Sequence, residues 1–351
     1  MKRRANEVHI AKQDEPSMRA AIIEQYGGPD VLKIRTDIVQ PQKVEKYFVK
    51  VKIIAASVNP IDWKMRSGIK LFSWLLSSSF PKCLGRDFAG IVEEVGPTVT
   101  SVQVGDQVYG MTDMVSTYCE YVVCSETWLT KKPTNLTFQE AAVIPLAALT
   151  AWQALIDLGK MKTGDKVLVI GGSGGVGNFA VQICRAKGAT CYATCGTSNL
   201  EFVTSLGASK VIDYRTQDVV RELDKEQFDI VFDTIGIREQ RDQFFPFVKR
   251  GGTLVTTLPF EGTSLGETLS GLADMVGKNI WFGICHRISY STVVVKPSHS
   301  ALDQIRDLVE KGDIKVHVDK EYPLENIREA HEYSEQGRTR GKIAITVSQQ
   351  N

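Results

Sequence analysis

Residues 167–177 read VLVIGGSGGVG, in which four β-favouring residues precede five glycines within seven positions. Glycine loses more conformational entropy on folding than any other residue, so an ordered run of glycines needs a steric reason. The run is either a flexible joint or a turn at which a ligand approaches the backbone more closely than a Cβ atom allows. The segments on both sides distinguish these two interpretations.

Short apolar strands alternate with helices from about Ala148 onwards. The glycine run follows a predicted strand, precedes a predicted helix, and is followed by four more predicted strands, TCYATC, KVIDY, FDIVFDTIG and GGTLVTTLP. This alternation is typical of an α/β domain with a doubly wound parallel sheet. Gly172, Gly174 and Gly177 therefore have the spacing and context of a dinucleotide site, where the backbone and a helix N-terminus bind a pyrophosphate.

The end of the next strand indicates which dinucleotide is bound. NAD sites place Asp or Glu about 20 residues after the first glycines, whereas this chain has neutral residues at 197–199. Nothing in that loop repels a 2′-phosphate, so the sequence favours NADPH, with positive charge from Arg215, Arg338 or Arg340. The predicted cofactor-binding residues are Thr150, Gly172, Ser173, Gly174, Gly175, Val176, Gly177, Thr197, Ser198, Asn199, Tyr214 and Arg338.

The composition predicts the number of domains and the surroundings of the protein. A chain of 351 residues exceeds the usual size of one domain, so two are expected. A formal net charge of +1 gives no electrostatic case for nucleic acid or an anionic membrane, and no apolar run is long enough to span a bilayer. Seven cysteines without the spacing of a disulfide framework favour a reducing compartment, and we expect a cytoplasmic protein.

The first part of the chain has a different texture. From Met18 to about Pro145, short β-rich segments broken by Gly and Pro predict an antiparallel barrel or sandwich. Residues 1–17 have mixed charge and no apolar h-region, so they are predicted to be a disordered tail rather than a secretory signal.

Six motifs, taken together and in order, resemble the medium-chain dehydrogenase/reductase superfamily, and within it the zinc-independent quinone oxidoreductase and alkenal reductase branch. They are ASVNPIDWKMRSG (56–68), LGRDFAGIVEEVG (84–96), VGDQVYG (104–110), AALTAWQAL (147–155), GGSGGVG (171–177) and RGKIAITV (340–347). The resemblance implies a Rossmann domain (148–289) inserted in a GroES-like β-barrel catalytic domain (18–147 and 290–351), with a cleft between them. It also implies a homodimer joined through sheet edges, for which NIWFGIC (279–285) is the expected edge strand.

The same comparison predicts that no metal is bound. Zinc members of the superfamily have Cys where this chain has Asn59, and Gly-His-Glu where it has Gly85-Arg86-Asp87. They also carry four closely spaced cysteines, whereas the cysteines of this chain lack the short-range pairing of a tetrahedral zinc site. Without a Lewis acid, the favoured substrates are quinones and α,β-unsaturated carbonyls, because their reduction gives a delocalised phenolate or enolate that neutral donors stabilise.

Asn59, Lys64 and Tyr109 are the catalytic candidates. Asn59 is alternatively a turn former before Pro60, Lys64 a solvated lysine and Tyr109 a core tyrosine. Asp62 is expected to orient the local backbone through an Asx-type bond. The segment LFSWLLSSSF (71–80) is expected to form an apolar pocket wall or a buried helical turn.

The sequence therefore predicts an NADPH-dependent oxidoreductase that reduces quinones or enones. Two alternatives stay open: an NADPH-binding protein with a structural or regulatory role on the same scaffold, and an enoyl-thioester reductase, which should carry a basic patch for a phosphopantetheine carrier.

Overall fold

The computed structural model describes residues 8–42, 44–68, 80–113, 116–237, 242–257, 277, 281 and 287–349. The chain divides into two compact units. The first comprises Met1–Leu146, Lys296–Glu310 and Val316–Asn351, and the second comprises Ala147–Val295 and Lys311–Lys315. Both ends of the chain thus contribute to the first unit.

The described residues of the first unit form two sheets. The larger has the strand order β15-β16-β3-β5-β6-β8, with β7 also paired to β3, and the smaller has the order β2-β1-β4. The strands are β1 (Ser17–Ile23), β2 (Leu32–Val39), β3 (Phe48–Val58), β4 (Lys82–Cys83), β5 (Asp87–Val95), β6 (Gln107–Met111), β7 (Tyr121–Ser125), β8 (Leu129–Lys131), β15 (Val318–Pro323) and β16 (Lys342–Thr346). All pairs except β15–β16 are antiparallel, as the short β-rich segments predict.

The described residues of the second unit form a six-stranded sheet in which every pair is parallel. Its order is β11-β10-β9-β12-β13-β14, the order of doubly wound dinucleotide-binding sheets. The strands are β9 (Lys166–Ile170), β10 (Thr190–Cys195), β11 (Lys210–Asp213), β12 (Phe228–Asp233), β13 (Val248–Thr257) and β14 (Ser289–Val293). The predicted parallel sheet is confirmed.

The described helices are short, and several lie where the apolar periodicity predicts them. The first unit holds α1 (Pro60–Arg66), α2 (Phe138–Ala142), α7 (His299–Glu310) and α8 (Ile327–Glu335); the second holds α4 (Gly175–Ala186), α5 (Leu200–Ser205) and α6 (Val219–Glu222); and α3 (Pro145–Trp152) crosses the boundary. Among the described residues, no helix combines the length and the apolar character needed to cross a bilayer.

Two boundaries differ from those expected. Strand β14 pairs with β13 and so carries the parallel sheet past residue 289, where the sequence ends the second domain. Residues 8–16, assigned to a disordered tail, instead run beside β2: Val39 N donates to His9 O at 2.9 Å, and Ala11 N donates to Asp37 O at 2.7 Å. Backbone pairing with a strand edge leaves little trace in the amino-acid composition, which is why the predicted disordered tail is too long.

Two predicted segments lie outside the described residues. The expected edge strand NIWFGIC is described only at Trp281, whose exposed fraction is 61%. The expected pocket wall LFSWLLSSSF is described only at Phe80.

Candidate functional site

The glycine turn connects β9 to α4 in the second unit. Gly174 is the N-cap residue of α4 and has an extended backbone. A Cβ atom on Gly177 would lie 2.0 Å from the carbonyl oxygen of Gly171, so only glycine lets the helix pack this closely on the turn. A Cβ on Gly174 would meet only that same oxygen, at 3.5 Å, so open space lies beside this residue. Gly177 therefore serves the packing, whereas Gly174 leaves room for a ligand.

That space has the chemistry of a pyrophosphate site. It adjoins the N-terminus of a helix of twelve residues, where free N–H groups and the positive end of the helix dipole attract anions. Glycine at the N-cap has no side chain that could accept from those N–H groups. Ser173 and Asn199 lie side by side, because Asn199 Nδ2 donates to Ser173 Oγ at 3.3 Å. The residues present therefore fit a dinucleotide phosphate.

The predicted adenosine end contains an acid that sequence reasoning missed. Thr197 begins a short 3₁₀ turn, and its hydroxyl donates to Asp213 Oδ2 at 2.6 Å. Asp213 lies at the end of β11, and its carboxylate also accepts from Thr216 Oγ1 at 2.9 Å and from Arg215 N at 3.0 Å. These donors, Thr197 first, hold the pKa of Asp213 below its usual value. The Thr197 hydroxyl therefore donates its hydrogen bond to Asp213, which corrects its expected role as a donor available to the cofactor.

A cation and a phenol flank the same turn. A Cβ atom on Gly196 would lie 3.1 Å from Arg215 Nε and 3.6 Å from the Tyr214 hydroxyl oxygen. Among the described residues, Arg215 therefore lies beside Gly196, the residue before the 3₁₀ turn of residues 197–199. Arg338 is exposed and belongs to the first unit, and Thr150 is buried in α3.

In the first unit, Asn59 links β3 to α1. Its N–H donates to Asp62 Oδ2 at 2.8 Å, and Asp62 N donates back to Asn59 O at 2.9 Å. Pro60 follows at the first helical position, where its missing N–H costs no hydrogen bond. Asp62 therefore orients the local backbone as expected, and its two hydrogen bonds fix the position of the Asn59 backbone.

The Asn59 amide is held between two opposite charges. Lys342 Nζ donates to Asn59 Oδ1 at 2.5 Å, and Asn59 Nδ2 donates to Asp87 Oδ2 at 2.8 Å. An ammonium can only donate and a carboxylate can only accept, so the two faces of the amide are assigned without ambiguity. One N–H of Nδ2 donates to Asp87, and the other has no acceptor among the residues that the structure describes.

Asp87 and Lys342 are themselves buried, with exposed fractions of 0% and 4%. Asp87 also accepts from Ser57 Oγ at 2.9 Å and from Leu146 N at 2.8 Å, and its Oδ2 atom lies 3.9 Å from Lys342 Nζ. Burial raises the pKa of Asp87 and lowers that of Lys342, and their mutual attraction opposes both shifts. Lys342 and Asp87 are therefore a buried ion pair whose charges balance each other, and the neutral Asn59 amide lies between them.

Asp62 is a second buried carboxyl, with an exposed fraction of 1%. Its Oδ2 atom accepts from Asn59 N and from the Tyr118 hydroxyl, the latter at 3.0 Å. Its Oδ1 atom is buried and has no hydrogen-bond partner among the residues that the structure describes. Burial, reinforced by the charge of Asp87, raises the pKa of Asp62 to about 7.

The other two catalytic candidates have different surroundings. Tyr109 is completely buried in the first unit, and its hydroxyl donates to Leu302 O at 2.7 Å. This contact and the burial, which raises its pKa, identify Tyr109 as a core tyrosine and correct its assignment as a proton donor. Lys64 is half-buried, and its Nζ atom lies 5.4 Å from the centroid of the Trp63 ring.

Zinc members of the superfamily bind the metal at positions whose side chains make other contacts in this chain. Arg86 Nε donates to Thr112 O at 3.2 Å, and Asp87 receives the donors named above. Across the described part of the chain, no group of three or more His, Cys, Asp or Glu side chains could hold a metal ion. The chemistry of this donor set does not fit zinc, and metal independence stays a prediction.

Comparisons with known proteins match both units. The family models "Alcohol dehydrogenase GroES-like domain" and "Zinc-binding dehydrogenase" match residues 45–145 and 206–345. The chain is 35% identical to the mitochondrial NAD(P)H oxidoreductase RTN4IP1 of Bos taurus, over 94% of this chain and 89% of that protein. It is 31% identical to the chloroplastic NADPH-dependent alkenal/one oxidoreductase of Arabidopsis thaliana, over 93% and 79%.

A solved structure agrees with these matches. The quinone oxidoreductase from Coxiella burnetii has a TM-score of 0.81 at 29% identity and covers 95% of this chain and 100% of its own. The predicted fold, a Rossmann sheet inserted in a GroES-like domain, is confirmed.

The two glycines give opposite predictions. Gly174→Val should keep most of the stability, because its side chain enters open space, but should abolish NADPH binding. Gly177→Ala should lower stability by about 1–3 kcal/mol through overpacking. Thermal melts check both: NADPH at about 100 times its Kd should add about 2.7 kcal/mol to the wild type and nothing to Gly174→Val. If NADPH stabilised Gly174→Val as much as it stabilises the wild type, the turn would not be the site that binds the phosphates.

Asp62 should make stability depend on pH. Its pKa is about 7 when folded, against an ordinary 3.8, so the folded state keeps a proton that the unfolded state loses above pH 4. The free energy of unfolding should therefore fall from pH 4 to pH 7, by up to about 4 kcal/mol, and then level off. Asp62→Asn should lack this fall. Denaturant titrations of both proteins between pH 5 and pH 8 test it, and parallel curves would contradict it.

Metal content is directly measurable. Elemental analysis of the purified protein should find well under one zinc per chain, and chelators should leave the melting temperature and any turnover unchanged. Stoichiometric zinc that is lost together with activity would refute the metal-free site.

Proposed function

The chain belongs to the medium-chain dehydrogenase/reductase superfamily, and we propose that it transfers a hydride from NADPH to a quinone or an α,β-unsaturated carbonyl without a metal ion. The names of its relatives support an oxidoreductase in general terms. The observation that carries the finer proposal is the Asn59 amide, which lies where zinc members have a cysteine and is held by Lys342 and Asp87.

The second unit would hold the cofactor. The N–H groups of the first turn of α4 would bind the pyrophosphate beside Gly174, and Arg215 would face the 2′-phosphate next to Thr197 and Ser198. When bound, NADPH supplies the hydride. Asp213 is an ionised carboxylate next to this turn, and the positive charge of Arg215 opposes its repulsion of the phosphate.

The first unit would stabilise the reduced acceptor. Hydride addition to a quinone, or to the β-carbon of an enone, leaves negative charge on the acceptor oxygen. The second N–H of Asn59 is suited to donate to that oxygen, because Lys342 and Asp87 fix the amide before the reaction begins. A neutral donor suffices, since the charge is delocalised over the conjugated system. The proposal therefore needs no Lewis acid.

The names of two relatives are consistent with this substrate class: one is an alkenal/one oxidoreductase that depends on NADPH, and the other is a quinone oxidoreductase. The alternatives are an NADPH-binding protein without turnover and an enoyl-thioester reductase. A homodimer and a cytoplasmic location also stay predictions; the names of the bovine and Arabidopsis relatives place those proteins in mitochondria and chloroplasts.

A turnover panel tests the reaction and separates the alternatives. We expect NADPH oxidation with quinones or enones, and about a 100-fold lower kcat in Asn59→Ala, the loss typical of removing one oxyanion donor. The matched control is Ser57→Ala, which removes a different donor to the same Asp87 oxygen and should keep most of the activity. NADPH binding without turnover would favour the non-enzymatic alternative. Turnover of enoyl thioesters alone would favour the enoyl-thioester reductase.

Coenzyme preference has its own test. NADPH should bind at least about tenfold more tightly than NADH, a difference of about 1.4 kcal/mol. Arg215→Ala should remove most of that preference by weakening NADPH alone, whereas Arg221→Ala, an exposed arginine of the same unit paired with Asp218, should change nothing. Fluorescence titrations of both coenzymes measure this. Equal affinities in the wild type would refute the preference.

A further inference from the structure

Four buried side chains form a hydrogen-bonded chain that ends at Asp62. Arg66 Nη1 lies 3.2 Å from His331 Nδ1, His331 Nε2 lies 3.3 Å from the Tyr118 hydroxyl, and that hydroxyl lies 3.0 Å from Asp62 Oδ2. None of the four is more than 2% exposed. At the outer end, Arg66 also forms an ion pair with Glu335, whose side chain is 32% exposed.

The chain has one direction. Arg66 can only donate, so His331 Nδ1 must accept and the ring must carry its hydrogen on Nε2. Burial and the charge of Arg66 lower the pKa of His331 to about 3, so the ring is neutral. His331 Nε2–H therefore donates to the Tyr118 oxygen, and Tyr118 O–H donates to Asp62. Arg66 thus sets the tautomer of His331 and, through it, the orientation of the Tyr118 hydroxyl.

This direction determines where Asp62 holds a proton. Oδ2 already accepts from Tyr118 and from Asn59 N, so a proton on Asp62 resides on Oδ1, which has no partner among the described residues. The charged or titratable groups that act on Asp62 from the surrounding elements are Arg86, Asp87, Tyr118 and Lys342. Of these, Lys342 is the cation that also holds Asn59.

We propose that Asp62 is a positioning residue that must hold its proton on Oδ1 for Asn59 to keep the orientation set by Lys342 and Asp87. The inference rests on the proposed function for its effect on hydride transfer, but not for its effect on Asn59. When Asp62 is neutral, Asp87 alone balances Lys342. When Asp62 releases its proton to bulk water, a second buried carboxylate, which accepts from the backbone N–H of Asn59, attracts Lys342 in competition with Asp87 and weakens the bond from Lys342 to Asn59 Oδ1. No electron is exchanged in this step.

The first test observes Asn59 directly. In protein labelled with ¹⁵N at asparagine, the Asn59 side-chain resonance, assigned by its loss in Asn59→Ala, should titrate with a midpoint near pH 7. The titration should disappear in Asp62→Asn, which mimics the neutral acid. It should move to higher pH in Tyr118→Phe, because the carboxylate loses a donor. The matched control is Tyr109→Phe, a buried tyrosine of the same unit that donates to Leu302 O instead and should not move the midpoint.

The second test is the pH profile of turnover. With the acceptor that the panel identifies, kcat/KM should fall above the midpoint, at first by about tenfold per pH unit as for one ionisation, and should level off at no more than the roughly 100-fold loss expected for Asn59→Ala. The fall should be absent in Asp62→Asn and shifted upward in Tyr118→Phe. An Asn59 resonance that does not titrate, or that titrates equally in Asp62→Asn, overturns the inference. If the resonance titrates as expected while no acceptor is reduced, the proposed function fails and the coupling of Asp62 to Asn59 stands.

Discussion

The ion pair of Lys342 and Asp87, bridged by the Asn59 amide, is the constraint on which the first unit depends. Two charges almost fully removed from water cost free energy unless each finds its partner, and breaking such a pair costs about 3–5 kcal/mol. The three residues come from β16, from β5 and from the junction of β3 with α1. Any arrangement that displaces one of these elements therefore leaves a buried charge without its partner.

The sequence predicted the glycine turn well and the polar network poorly, for physical reasons. The turn is local, because its glycines, strand and helix lie within one continuous segment. The network joins residues far apart in the chain: Tyr118 and His331 are 213 positions apart, and Asn59 and Lys342 are 283. No local pattern separates Tyr118 from Tyr109, since both are tyrosines in short β-rich segments. Asn59 was found because of its motif, and its partners were not.

The adenosine end shows a related limit of sequence reasoning. The absence of an acid after β10 indicates a site open to a 2′-phosphate, but Asp213 arrives from the end of β11, the neighbouring parallel strand. Carboxyl ends of parallel strands meet at one edge of a sheet, so an acid at the end of the adjacent strand lies close to the residues that follow β10. Its carboxylate accepts one hydrogen bond from Thr197 and two from residues 215 and 216, so the acid links the turn after β10 to the turn after β11.

The placement of β16 has a consequence for biosynthesis. All but five residues of the second unit lie between Ala147 and Val295, whereas β16 follows it in the chain and pairs with β3. On a ribosome, the parallel sheet can therefore be complete while the first unit still lacks the strand that carries Lys342. Asn59 and Asp87 are synthesised long before their partner Lys342. The hydrogen bond from Lys342 to the Asn59 amide can therefore form only after synthesis has passed residue 342.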